Sequence, residues 1–166
     1  MKGLSSLPFL ASVLAAAAAF ILLSGQSLPP VVASHFAAGG KADGFMPRNA
    51  YLGLMLLITV GIPFLLALGH NLIRLVPPRL VSLPNRDYWL SSERSAETFS
   101  FLRNHGIYFS ALTAVFLCFI HWRVVQANQT QPPHFSPSWF VAGLVLFLLA
   151  VAVWVGVIFL HFRRSP

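Results

Sequence analysis

Residues 139–162 read WFVAGLVLFLLAVAVWVGVIFLHF, a run without a single Asp, Glu, Lys or Arg. A helix of that length rises about 36 Å at 1.5 Å per residue, enough to cross a hydrocarbon core of roughly 30 Å. The same reading extends backwards along the chain. Apolar runs occupy about Ile107–Val125, Tyr51–Ile73 and Leu7–Leu23. Of the 166 residues 57% are hydrophobic and only 9% charged, against about 25% charged in an ordinary soluble domain. The fold class expected is an all-α integral membrane protein with four transmembrane helices in one domain, 1–166.

What joins the spans sets their orientation. Residues 24–50 form the first loop, 74–106 the second, and QANQTQPPHFSPS the third. Lys2 followed by LPFLASVLAAAAAFILL resembles the start of a secretory signal peptide. No small-x-small cleavage site follows Leu23, so the run is expected to stay as the first span. Basic residues accumulate on the cytoplasmic side of a membrane. Lys2, Arg74, Arg79, Arg86, Arg94, Arg103, Arg163 and Arg164 fall on one side of a four-span topology, against Lys41, Arg48 and Arg123 on the other. Both termini and the second loop are therefore expected in the cytoplasm, and loop 24–50 outside, in a cell inner (cytoplasmic) membrane. The net charge of +7 then meets lipid headgroups rather than nucleic acid.

Local features add detail. Pro8 suits a first helical turn, Ala15–Ala19 offers a smooth packing surface, and Pro63 should kink the second span. Pro77-Pro78 ends that span, and turn character follows at Pro84-Asn85. Tyr88 and Trp89 suit the headgroup layer, and together with Arg86, Asp87 and Arg94 they form a candidate cytoplasmic interface. SSERSAETFSFLRN, 91–104, reads as a short amphipathic connector helix lying along that interface. Ser91 or Ser92 would cap it, and Ala96, Phe99 and Leu102 would share a face. It is either a solvated loop helix or a docking surface for another subunit. Asn128-Gln129-Thr130 matches a glycosylation acceptor. Cys118 is the sole cysteine, so no intramolecular disulfide forms.

Chemistry has few carriers. No Asp, Glu, Lys or Arg lies in the core of any span, which argues against a proton relay or a charged-ring channel. HExxH, GxSxG, a phosphate-binding glycine loop and paired cysteines are all missing from the sequence. A non-enzymatic protein is expected, with no cofactor and no metal assigned. Six histidines complicate this: His70, His105 and His161 fall near the inner interface, and His35, His121 and His134 near the outer. Facing histidines can hold haem or a metal, so a haem, metal or quinone-associated redox protein is a third reading.

The first loop, LPPVVASHFAAGGKADGF at 28–45, is the remaining candidate. VVASHF can run extended, and Gly39-Gly40 and Asp43-Gly44 supply turns. The segment should fold back into a hairpin-like extracytoplasmic cap in which Asp43 reaches the His35 imidazole and fixes its tautomer. The order Leu28-Pro29, Ser34-His35-Phe36, Gly40, Asp43-Gly44 resembles a bacterial membrane family of unknown function that also forms the N-terminal part of SdpI-type immunity proteins. LPNRDYWL followed by SSERSAET is similar to a further segment of that family. Ala37 stands where many members have Asn, and Pro47-Arg48 where Ser-Lys is common. The second multi-helix region of SdpI-type proteins is not found in these residues. The resemblance implies envelope recognition or SdpI-like immunity or signalling through His35, Phe36, Gly40, Asp43 and Gly44. Its partner would be an extracytoplasmic peptide or protein. The alternative is an accessory or assembly subunit of a larger membrane complex, docking through the alanine-rich first helix and the 91–104 segment.

Overall fold

A computed structural model describes residues 6–163; Lys2 and Arg164, counted above for orientation, lie outside the described residues. Four helices are long and apolar enough to cross a membrane. They are α1 (Ser6–Ser24), α2 (Arg48–Leu75), α3 (Ser95–Ala127) and α4 (Pro137–Arg163). Each contains one of the four apolar runs. Between α1 and α2 the chain forms one antiparallel hairpin, β1 (Val31–Phe36) and β2 (Ala42–Pro47). The all-α expectation is corrected to that extent.

Helices α1, α2 and α3 pack together, and α4 lies against α3. Lipid tails are as apolar as leucine, so close approach rather than hydrophobic burial holds membrane helices together. The buried positions fit this: Ala17, Ala67, Ala111, Ala114 and Ser110 are small. At Gly106 a Cβ would come within 2.1 Å of the His70 ring. One apolar cluster joins Leu10, Ala67, Ile107 and Ala111 away from the hairpin. A second joins Ile21, Leu28, Val32, Tyr51, Met55, Val124 and Val125 beneath it. The hairpin therefore sits on the ends of three helices, its Val32 and Ala33 fully buried.

Pro63 is accommodated within α2. A π turn, Leu57–Gly61, widens the helix just before it, which is a usual way for a chain to absorb an interrupted hydrogen-bond ladder. Thr59 in that turn is wholly buried, and its hydroxyl has no hydrogen-bond partner. An unpaired buried hydroxyl costs about 1–3 kcal/mol. Thr59→Val, of the same shape, is expected to raise stability by about 1 kcal/mol. A higher thermal midpoint in detergent checks this; a lower one would show that the hydroxyl is needed.

One expectation about the second loop is corrected. The 91–104 segment is not a separate connector: from Ser95 it is the start of the 33-residue α3. The Ser91 carbonyl accepts the N–H groups of Arg94 and Ser95, without a side-chain cap. Trp89, expected at the headgroups, also caps a helix. It donates its indole N–H to the Phe162 carbonyl at 2.9 Å. Asn85, left-handed at φ 50°, donates its amide to Phe162 and Arg163 carbonyls at 3.2 and 3.1 Å. The last carbonyls of a helix have no partner inside it, so this loop completes α4.

Candidate functional site

The hairpin register places the candidate residues. Ala33 pairs with Phe45, His35 with Gly44 and Phe36 with Ala42. Ser34 is thus an extra residue on β1 and Asp43 one on β2. Such bulges re-aim side chains, and here they bring Asp43 onto His35. The imidazole Nδ1–H donates to Asp43 Oδ1 at 2.5 Å. That assigns the proton to Nδ1 and leaves Nε2 as an acceptor. The pair is accessible: the His35 side chain is 75% exposed and that of Asp43 47%. Gly44 lies directly opposite, where a Cβ would stand 2.8 Å from the Cβ of His35.

Gly40 closes the tip. Its φ is +84°, and a Cβ there would lie 2.0 Å from the Phe135 carbonyl oxygen. The Ala37 carbonyl accepts the Gly40 N–H at 2.7 Å, and the Gly40 carbonyl accepts the Phe135 N–H at 2.8 Å. Lys41 also bridges to His134. Tip and third loop are therefore knitted together through backbone. Phe36 packs on Phe135 at 5.2 Å between ring centres, and Phe135 on Phe140 at 5.8 Å.

Between the hairpin, α3 and the start of α4 lies a cleft of about 330 Å³. Phe135, Phe140, Ile120 and Val124 line it with Ser34, His35 and Phe36. Mostly apolar walls with a few placed polar groups are the usual chemistry of a binding pocket. An oriented imidazole can accept a proton or a hydrogen bond at its rim. Ser34 makes no hydrogen bond to that imidazole among the described residues, so the pair is not arranged as a nucleophile and its base.

Two supports of the site escape sequence reasoning. Asn128 donates its amide to the Ala33 carbonyl at 2.9 Å and accepts the Ala33 N–H at 2.8 Å. The side chain imitates a neighbouring strand and covers the edge of β1. It donates as well to the Val124 carbonyl, so this acceptor-motif amide is committed to the fold. The second is His121, wholly buried beneath the hairpin. Ser24 donates its hydroxyl to the Phe20 carbonyl at 2.6 Å, so its oxygen accepts the His121 Nε2–H at 3.0 Å. Tyr51 donates its hydroxyl to Nδ1 at 3.0 Å, with the two rings stacked. The chain Tyr51–His121–Ser24–Phe20 thus links α2, α3 and α1. A histidine in an apolar run is the only signal; its partners lie 70 and 97 residues away.

Three histidines lie near the hairpin and three at the opposite end. Among the described residues no group of three His, Cys, Asp or Glu could hold a metal. At the end opposite the hairpin they join a stack of rings. His161 lies 3.9 Å from Phe101, Phe101 5.2 Å from His105, and His105 5.2 Å from Trp154. Trp154 and His105 also donate to each other's carbonyls, at 3.0 and 3.1 Å. Of the proposed cytoplasmic group, Arg86 pairs with Asp87 at 3.0 Å, Arg94 covers the Tyr88 ring at 4.3 Å, and Trp89 stacks on His161. The arginine contacts are local, whereas Trp89 reaches across to hold the α4 end. No protein-family model, curated protein or solved structure matches this chain.

Proposed function

We propose that this multi-pass membrane protein recognises a peptide or protein at the hairpin face, in the manner of an SdpI-like immunity or signalling protein, without enzymatic activity of its own. The hairpin is its extracytoplasmic cap in an inner (cytoplasmic) membrane with both termini in the cytoplasm. One observation carries the reading: an exposed His35–Asp43 pair stands on the rim of an apolar cleft, on a hairpin held by Gly40, Gly44 and Asn128. Phe36 supplies the apolar contact, and His35 Nε2 with the free Asp43 oxygen supplies the polar ones.

The test is capture from native membranes by the tagged protein, with mass spectrometry of what is retained. A secreted or extracytoplasmic species is expected, and His35→Ala or Asp43→Ala should reduce its recovery about tenfold or more at unchanged expression. Equal recovery by both variants would show that the hairpin face is not the contact.

A second reading, an accessory subunit of a larger membrane complex, is favoured by one further observation. Ala11, Ala15 and Ala19 form an exposed strip along α1, which would let another helix approach closely. Co-purification of stoichiometric membrane subunits, insensitive to His35→Ala, would select it.

A further inference from the structure

At the end of the bundle away from the hairpin, the last turns of α2 and the first turns of α3 enclose a cavity of about 290 Å³. Arg74, Arg103, Asn71, Ser100 and Phe99 line it, with no Asp or Glu among the lining residues. Two positive charges thus share one concave site without a counter-charge. Neither arginine side chain forms an ion pair or hydrogen bond with another described residue. The Nε of Arg103 is buried and has no partner, whereas Arg74 is exposed at the rim. Three other arginines of this end are engaged, Arg86 by Asp87, Arg94 by Tyr88 and Arg163 by Phe159, and Arg79 lies outside the cavity.

Depth decides what such a site meets. With 33 residues, α3 is about 50 Å long, some 20 Å more than a hydrocarbon core. Its ionisable residues before the apolar run, Glu97, Arg103 and His105, lie in the first turns. Those turns therefore stand in the headgroup layer. Beside the cavity, Leu68, Leu72 and Leu75 of α2 present exposed apolar surface. Cationic inside and apolar along its flank, the site has the polarity of an anionic lipid.

We propose that Arg74 and Arg103 bind a phosphate-bearing anion, presented by the headgroup of an anionic phospholipid whose acyl chains lie along α2. Arg103 donates from within the cavity, its buried Nε–H finding a phosphate oxygen, and Arg74 closes over the headgroup. Asn71 and Ser100 offer further donors. Direct contact of each arginine with the phosphate in the cavity is worth about 1 kcal/mol, or about fivefold in affinity.

The experiment is native mass spectrometry of the protein from nanodiscs of phosphatidylglycerol and phosphatidylcholine, with inorganic phosphate as a separate arm. Wild type should retain phosphatidylglycerol preferentially. Arg74→Gln should reduce the preference about fivefold, and Arg74→Gln with Arg103→Gln about 25-fold. Arg79→Gln, outside the cavity, carries the same charge loss and should leave the preference unchanged. Since Arg103 is partly buried, the exposed Arg74 variant keeps the test valid should the double variant fold poorly. Equal retention of both lipids by wild type, or equal loss in the Arg79 variant, would overturn the site. Displacement of the lipid by millimolar inorganic phosphate would overturn the lipid as source and assign the site to a free anion.

Discussion

Gly40→Ala is expected to unseat the hairpin tip, at a cost of about 2–3 kcal/mol. Two penalties combine. A left-handed backbone costs an L-residue about 1–2 kcal/mol, and φ here is +84°. The new Cβ would also stand 2.0 Å from the Phe135 carbonyl oxygen. That oxygen has little freedom, because the Phe135 N–H is bonded to Gly40 itself and Pro137 begins α4 two residues on. Relief therefore requires parting the tip from the third loop, which opens one wall of the cleft. Gly39→Ala is the control: a Cβ there meets nothing within 4 Å, and no positive φ is involved. Thermal unfolding in detergent and limited proteolysis at the tip should separate the two variants. Equal midpoints and equal cleavage would mean that the tip is not held at Gly40.

How far the sequence could be read depended on the range of each interaction. Helix positions follow from hydropathy, a property of consecutive residues, and the four long helices contain the four apolar runs. The contact between His35 and Asp43 spans eight residues and is set by the glycines between and beside them, so local turn chemistry suggests it. The two bulges that align the pair depend on strand register and have no local signature. In the second loop, local reasoning misled. Ser91 and Ser92 are good caps, yet nothing between Ser95 and Ile107 breaks a helix except Gly106, which a packed helix tolerates. The amphipathic stretch accordingly continues into the span. Trp89 and Asn85 read as interfacial and turn residues; their partners, the last carbonyls of α4, lie more than 70 residues away.

The same distance hides the buried network under the hairpin, where the second large effect is expected. In membranes an interhelical hydrogen bond averages about 0.6 kcal/mol, so the Tyr51–His121–Ser24 bonds add little net. Orphaning one member inside the packed core is different, at about 1–3 kcal/mol per unpaired group. His121→Ala combines a cavity with the unpaired Tyr51 hydroxyl and should cost about 3–5 kcal/mol. His121→Phe keeps the ring against Tyr51 and Phe20 and should cost about 2 kcal/mol, mainly through that hydroxyl. Adding Tyr51→Phe removes the orphan, so the double variant should be more stable than His121→Phe alone. Denaturant unfolding of wild type, both single variants and the double variant gives the coupling directly. Recovery of more than half the His121→Phe loss identifies one network supporting the hairpin; additive losses would mean that the two rings contribute only separate packing. Since His121, Tyr51 and Ser24 lie beneath Val32 and Ala33, a network loss should also loosen the hairpin, and His121→Ala should weaken partner capture without touching the cleft.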